Sequence, residues 1–161
     1  MSEKVAPSDS QNGASDSTRD CVLVLSREFS TNPETLFRYF TEPEHLANWF
    51  APSQDLRTDV HELDLRVGGR YRISMVGGEP SKEHTVVGEY LEIERPHRLV
   101  YSWAWETEAE NEVSQVELTF KQTQTGTRLE IRHERFNDND SRDRHGQGWD
   151  GCLTRLESQF R

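Results

Sequence analysis

Long apolar stretches are missing from this sequence of 161 residues, of which 32% are hydrophobic. No run of about 18 apolar residues occurs, which excludes a helix that spans a membrane. Residues 1–20 contain almost nothing that can pack and no apolar core of a secretory signal, so we expect a disordered N-terminal tail. We expect residues 21–161 to form one domain and the protein to be cytoplasmic.

Cysteines are scarce, and metal-binding motifs are missing. The two cysteines, Cys21 and Cys152, lie far apart in the sequence, and a structural disulfide is not expected in a reducing cytoplasm. Cys152 falls beside apolar residues of a predicted helix, which indicates a buried, inert thiol. Neither a CxxC nor an HExxH motif occurs, so we expect no metal ion. Four histidines have no metal-ligand spacing: His45, His61, His84 and His97.

Motifs that hold phosphate or position a catalytic nucleophile are missing as well. Gly68 and Gly69 lie between two predicted strands rather than ahead of a helix, which is typical of a hairpin turn and not of a nucleotide site. No Ser-centred nucleophile elbow occurs. The sequence therefore predicts no cofactor and favours a protein that is not an enzyme.

Positive charge is in short supply, since the formal net charge is −10 at pH 7. An acidic protein repels phosphate backbones, so we expect no nucleic-acid partner. Arg66, Arg70 and Arg72 surround one turn and form either a solvated strand face or a local basic strip. The acidic stretch 106–112 is either a solvated loop or a segment that guards a binding site or contacts a protein.

The sequence does contain regular apolar periodicity, first in a strand and then in two short helices. Segment 21–29 begins with a continuous apolar run that is typical of a covered strand. A helix then starts either at Thr31, as part of a capping box, or at Asn32 with Pro33 in the first turn. A second helix start follows at 41–43. The apolar residues of the two helices are Leu36, Phe37, Phe40, Leu46, Trp49 and Phe50.

Alternating apolar and polar residues, separated by turn residues, predict six further strands. Short connections between neighbouring strands require antiparallel pairing. In the last strand Thr127, Leu129, Ile131 and His133 share one face, while charged residues occupy the other. A sheet with one apolar face must have that face covered. The predicted strands span 56–65, 69–77, 84–94, 97–105, 113–122 and 126–135.

The C-terminal segment supplies the predicted cover. After capping residues at 137–141, apolar residues recur at helical spacing as far as Phe160, over a length of about 28 Å. Gly146, Gly148 and Gly151 interrupt this helix, and we expect a frayed first turn; the alternative is a place where another segment comes close. The predicted fold class is α+β, with a curved antiparallel seven-stranded sheet wrapped around a long C-terminal helix. Space left between sheet and helix predicts a cavity for a small molecule.

Six stretches carry a resemblance to a known group of proteins, and they are 33–37, 46–52, 64–71, 88–93, 96–103 and 148–156. Over residues 21–161 the chain resembles the START-like (SRPBCC) superfamily. Its local sequence is similar to the branch related to the C-terminal domain of the activator of the 90-kDa heat-shock chaperone's ATPase. The resemblance implies a helix-grip fold and an internal cavity, in a group that includes ligand carriers, chaperone regulators and a few enzymes.

Residues on the predicted inner face are the candidates for a ligand-binding site. Its aromatic residues either fill the core or provide flat walls for a ring-bearing ligand. His133 is either a core histidine bonded to the backbone or a group that orients a ligand or transfers a proton. His145 lies one turn before Trp149 and can meet the same space, and Trp105 lies either on this face or at its rim. The candidate ligand-binding residues are Trp49, Tyr71, Tyr90, Tyr101, Trp103, Leu118, Phe120, Leu129, Ile131, His133, His145, Trp149 and Leu153.

Three functions remain open at this point. The first is binding of an apolar, ring-bearing or lipid-like small molecule in an enclosed cavity lined by the aromatic candidates and His133. The second, which the resemblance implies, is regulation of the chaperone's ATPase or another role in stress response. The third is a cyclase- or hydrolase-type enzyme that uses His133, His145 and a tyrosine. We expect a monomer or a weak dimer with no membrane partner.

Overall fold

In the computed structural model, which describes residues 21–107 and 112–161, seven strands and three helices follow one another in the predicted order. Each strand begins and ends within two residues of its predicted bounds. The predicted tail, 1–20, and the middle of the acidic stretch, 108–111, lie outside the described residues. The elements are β1 (Leu23–Phe29), α1 (Pro33–Thr41), α2 (Pro43–Leu46), β2 (Leu56–Leu63), β3 (Arg70–Gly77), β4 (Lys82–Glu94), β5 (Arg98–Trp105), β6 (Ser114–Gln122), β7 (Thr127–Glu134) and α3 (Asn139–Ser158).

The strands form one antiparallel sheet in the order β1-β7-β6-β5-β4-β3-β2. The first and last strands are neighbours, whereas β1 and β2 lie on opposite edges, so α1 and α2 connect the two edges. The register shifts between Val60 and Glu62 in β2 and between Tyr90 and Glu92 in β4. Such bulges bend a sheet, and the bend lets one face wrap around a helix.

The predicted division of the sheet into two faces is confirmed. In β7, Thr127, Leu129, Ile131 and His133 are completely buried, and the charged residues between them are exposed. β6 alternates in the same way. Because side chains alternate with a period of two along a strand, one face of this sheet is almost continuously apolar and must be covered.

Helix α1 begins in one of the two ways that the sequence allows. Asn32 is the N-cap, since its side-chain oxygen accepts a hydrogen bond from the Thr35 amide at 2.8 Å and Pro33 follows in the first turn. The Thr31 carbonyl instead accepts a hydrogen bond from the Thr127 hydroxyl at 2.7 Å. The start of α1 is thereby tied to β7, at one end of the sheet.

Helix α3 covers the apolar face of the sheet. Asp138 caps it by accepting a hydrogen bond from the Ser141 amide at 2.8 Å. The helix has 20 residues, so it extends about 30 Å. It buries four side chains of one stripe against the sheet, namely Trp149, Cys152, Leu153 and Leu156.

The expectation of a frayed first turn in α3 is wrong, because the helix begins at Asn139 and runs through all three glycines. The alternative, a place where another segment comes close, is found at Gly151, because a Cβ atom there would clash with the carbonyl of Pro52. The helix backbone therefore packs directly against the chain that follows α2. Gly148 is different, because a Cβ atom there would meet nothing within 4 Å.

Replacing Gly151 and Gly148 with alanine, one at a time, is expected to change the free energy of unfolding in opposite directions. Gly151→Ala should lower the free energy of unfolding by about 1–2 kcal/mol, because overpacking outweighs the gain in helix propensity. Gly148→Ala should raise it by up to about 1 kcal/mol, since only the propensity changes. Urea denaturation of both variants measures this difference, and a stability gain in both would contradict the close approach at Pro52.

Candidate functional site

A cavity of about 550 Å³ lies between α3 and the part of the sheet formed by β3, β4 and β5. This volume is in the range of small-molecule sites, about 300–1,000 Å³. Exposed charged residues form a mouth at one end of the cavity, which is therefore open to solvent. The sequence predicts an enclosed cavity, and this expectation is wrong. Its wall is largely apolar and includes Phe50, Leu56, Met75, Trp103, Trp105 and Trp149.

Three tryptophans form the centre of this wall. Trp103 and Trp105 lie two residues apart on β5 and so share a face, while Trp149 comes from α3. The ring centroids of Trp103 and Trp149 are 5.6 Å apart with planes tilted by 38°. Those of Trp103 and Trp105 are also 5.6 Å apart, with an interplanar angle of 86°. Their faces and edges give a ring-bearing ligand both stacking and edge-on contacts.

His133 does not line this cavity. It is completely buried behind Trp149, whose indole N–H donates to His133 Nδ1 at 3.0 Å. Because Nδ1 accepts, the proton of the neutral imidazole is on Nε2, which donates to Ser114 Oγ at 2.8 Å. Ser114 Oγ donates in turn to the Trp103 carbonyl at 3.2 Å. His133 is thus a core histidine, bonded to side chains rather than to the backbone, that fixes Trp149 and links β5, β6 and β7 to α3.

The electrostatics of His133 agree with this structural role. Burial, reinforced by the nearby His145, lowers the pKa of His133 well below its ordinary value of 6.5. The imidazole therefore stays neutral near pH 7. A neutral ring with both nitrogens engaged has neither a free proton nor a free lone pair for a substrate.

His145 does line the cavity, and it connects the sheet to α3 nearer the mouth. Trp105 Nε1 donates to His145 Nε2 at 2.9 Å. The proton of the neutral ring is then on Nδ1, which donates to the Ser141 carbonyl at 2.7 Å. Indoles and imidazoles therefore form two parallel links between sheet and helix, Trp105–His145 and Trp149–His133, one helical turn apart.

The mouth of the cavity carries charges of both signs. Arg72 forms a bidentate pair with Glu106, at 2.8 and 2.9 Å, and this pair lowers the pKa of the Glu106 carboxyl. Glu112 accepts hydrogen bonds from the Asn137 amide at 2.7 Å and from Ser141 Oγ at 2.8 Å. The acidic stretch thus contributes to the cavity mouth through Glu106 and Glu112. Two further lining residues are exposed, Glu83 and Arg144.

The three candidate tyrosines lie at the opposite end of the apolar face. Tyr71, Tyr90 and Tyr101 border a void of only about 20 Å³, which Phe40 and Leu46 also line. Side chains of α1 and α2 therefore fill this end of the face. Burial raises the pKa of all three phenols, which keeps them neutral.

Of the thirteen candidate residues, Trp103, His145 and Trp149 line the main cavity. The candidates that border neither the main cavity nor the small void pack in the hydrophobic core and are almost completely buried. The cavity lining expected from the sequence is therefore corrected: Phe120 and His133 belong to the core, and the tyrosines to the filled end. The core candidates are Trp49, Leu118, Phe120, Leu129, Ile131 and Leu153.

Several lining residues were not among the candidates. Met75 and His84 share the inner face of β3 and β4 with the tyrosines, so the alternation could have indicated them. The sequence pattern indicates Phe50 only as part of the second short helix and Leu56 only as the start of a strand. Nothing in the local sequence indicates that Arg72 and Glu106 meet at the cavity, because this depends on the pairing of three strands.

Cys152 borders the cavity but is an unreactive thiol. It is 6% exposed, and burial raises its pKa to about 12, so the nucleophilic thiolate is not formed near pH 7. The burial predicted for this cysteine is confirmed. Among the described residues, no group of three or more His, Cys, Asp and Glu side chains could hold a metal ion.

The antiparallel sheet, the two short helices after the first strand and the covering C-terminal helix define a helix-grip protein of the START-like superfamily. A family model, described as activator of Hsp90 ATPase homolog 1-like protein, matches residues 30–161. The chain belongs to this family. No functionally curated protein matches it.

Solved structures show the same fold. A protein from Chromobacterium violaceum is 27% identical, with a TM-score of 0.79, over 86% of this chain and 96% of that one. A protein from Silicibacter pomeroyi, described as AHSA1, is also 27% identical, with a TM-score of 0.74 and the same shares of both chains. A Mycobacterium smegmatis protein shares the fold at 17% identity, with a TM-score of 0.76 over 88% of this chain and 91% of that one.

Within the described part of the chain, no helix is long and apolar enough to cross a membrane.

Proposed function

We propose that this protein binds an apolar, ring-bearing small molecule in the cavity between β3–β5 and α3. The observation that carries the proposal is a cavity of about 550 Å³ beside three tryptophans, whereas the space beside the three tyrosines is a void of only about 20 Å³. A protein of this size rarely keeps so large an apolar space without a use, since interiors are packed as densely as organic crystals.

The way the tryptophans are held supports this proposal. Trp105 and Trp149 both donate their indole N–H groups to histidines, so the orientation of both rings is set before a ligand arrives. A rigid aromatic wall loses little conformational entropy on binding. The part of the wall that Trp105 and Trp149 form is thus preorganised for flat apolar groups.

The same contacts argue against an enzyme that uses the cavity histidines. Such a reaction needs at least two polar groups that converge on a substrate. His133 lies outside the cavity, and so do the tyrosines, which border a separate small void at the other end of the apolar face. At His145, the Trp105 indole and the Ser141 carbonyl occupy the two ring nitrogens. We therefore propose a binding protein rather than a catalyst.

A panel of neutral ring compounds tests the proposal. Naphthalene derivatives, a flavone and a sterol are added to the ¹⁵N-labelled protein, with a straight-chain lipid as the comparison compound that has no ring, and the amide and indole N–H resonances are recorded. Ring compounds should shift the indole signals of Trp103, Trp105 and Trp149. Trp49 is the internal control, because it is completely buried away from the cavity and donates to the Tyr39 carbonyl. If none of the compounds moves the three cavity indoles, the proposal is wrong.

A second candidate function is regulation of a 90-kDa heat-shock chaperone in the cytoplasm, and the family description favours it. This function acts through the protein surface and not through the cavity. An ATPase assay with a bacterial chaperone of this class tests it. If the protein stimulates the chaperone's ATPase, and still does so when a substitution fills the cavity, regulation of the chaperone is favoured over ligand binding as the function.

A further inference from the structure

The four tryptophans differ in the hydrogen bonding of their indole N–H groups. Three of them donate to an acceptor within the protein: Trp49 to the Tyr39 carbonyl at 3.0 Å, Trp105 to His145 at 2.9 Å and Trp149 to His133 at 3.0 Å. Trp103 is 6% exposed, and its buried Nε1 has no acceptor among the described residues. Buried donors are nearly always satisfied, since an unpaired one costs free energy.

The other polar groups of the cavity already have partners or are open to water. Ser141 Oγ bonds to Glu112, and Thr85 Oγ1 lies 2.7 Å from Ser74 Oγ. Arg72 is paired with Glu106, and the remaining charged lining residues are exposed at the mouth. Among the nitrogen and oxygen donors of the described cavity lining, the Trp103 N–H is therefore the buried one that is left for a ligand.

We infer that the ligand carries a neutral hydrogen-bond acceptor next to its ring system, such as a carbonyl or ether oxygen, and that Trp103 Nε1 donates to it. This inference rests on the proposed function and specifies the chemical class of its ligand. An anion is not required, because the protein carries a net negative charge and the charged residues that line the cavity, which are of both signs, lie at its mouth. A purely apolar ligand binds the same wall but leaves the Trp103 donor unpaired.

Movement of the Trp103 ring is part of this inference. Trp103 Nε1 is buried, so the acceptor reaches it only when the ring shifts. The large cavity, which Trp103 borders, offers the space for that shift. The Ser114 hydrogen bond to its carbonyl holds the backbone in place, so the side chain moves alone.

Two nearly isosteric probes test the inference: 2-acetylnaphthalene, which has a carbonyl oxygen, and 2-isopropenylnaphthalene, which has a methylene group in its place. The ketone should bind about three- to tenfold more tightly, as expected for one net hydrogen bond. In the ¹H–¹⁵N spectrum, the Trp103 indole proton should move downfield with the ketone and not with the hydrocarbon. The indole signals of Trp49 and Trp149 should not show this difference.

Two substitutions separate the donor from the ring. Trp103→Phe removes the free donor and should abolish the preference for the ketone, whatever it does to the affinity for both probes. Trp105→Phe removes a neighbouring indole whose N–H is already bonded and should keep the preference. Equal affinity for the two probes, or a preference that survives Trp103→Phe, would overturn the inference while leaving the proposed function intact. If neither probe binds the unsubstituted protein, the proposed function itself fails, and the inference fails with it.

Discussion

Lowering the pH below about 6.5 is expected to destabilise this protein. His133 by itself should lower the free energy of unfolding by up to about 1.4 kcal/mol per pH unit. The folded chain holds this imidazole neutral, because burial and His145 lower its pKa well below 6.5. The unfolded chain has no such environment and takes up the proton. Since the unfolded state then binds more protons than the folded state, stability is complete above pH 6.5 and is lost as the pH falls.

The substitution His133→Gln tests this expectation. Glutamine keeps a donor and an acceptor for Ser114 and Trp149 but does not titrate. At pH 7.5 it should cost about 1–3 kcal/mol, since two buried hydrogen bonds are disturbed. Between pH 6.5 and 5 its free energy of unfolding should fall less steeply than that of the unsubstituted protein, as measured by urea denaturation.

His97→Gln is the matched control, because His97 is exposed. This variant should keep the pH dependence of the unsubstituted protein. If His133→Gln and the unsubstituted protein lose stability in parallel below pH 6.5, His133 is not held neutral in the folded chain. The hydrogen-bond chain from Trp149 through His133 to Ser114 would then need a different protonation state.

Filling the cavity from α3 should abolish ligand binding without unfolding the protein. Gly148 borders the cavity, and a Cβ atom there meets nothing within 4 Å. Gly148→Phe therefore places a ring in the space that the ligand needs. We expect the affinity for neutral ring compounds to fall on the order of tenfold or more. The helix itself should become more stable, because glycine is a poor helix former.

Gln147→Phe provides the comparison for this variant. It adds the same ring at the preceding position, which is exposed and does not line the cavity. Fluorescence or NMR titration with the same ring compounds should give unchanged affinity for Gln147→Phe. Equal loss of binding in both variants would mean that the ligand contacts the surface of α3 rather than the cavity.

The location of the site was only partly predictable from the sequence. The alternation in β5 identifies the inner face that Tyr101 and Trp103 share, but it does not say which end of that face stays open. Phe40 and Leu46 of the two short helices border the void beside the tyrosines, and their position depends on how those helices cross the sheet. Whether Trp103, His145 and Trp149 contact a ligand stays a prediction.

The polar contacts depend even more on the tertiary structure. The sequence places His133 on an apolar strand face, which is also where the structure has it. Its partners are Ser114, 19 residues away in sequence, and Trp149, 16 residues away. No local pattern contains these pairs. The same limit explains the error at α3, where Gly151 is needed because Pro52, a distant residue, lies against the helix.

The sequence by itself determined the order of the elements, the two faces of the sheet and the apolar stripe of the last helix. These properties depend on spacing along the chain, with periods of 2 and 3.6 residues. The tertiary structure alone decided that one end of the apolar face is filled and the other is open. It also decided that two indoles bond to histidines, while the Trp103 N–H has no acceptor among the residues that the structure describes. Such features arise where residues from separate elements meet, because volume and hydrogen bonding depend on all the partners together.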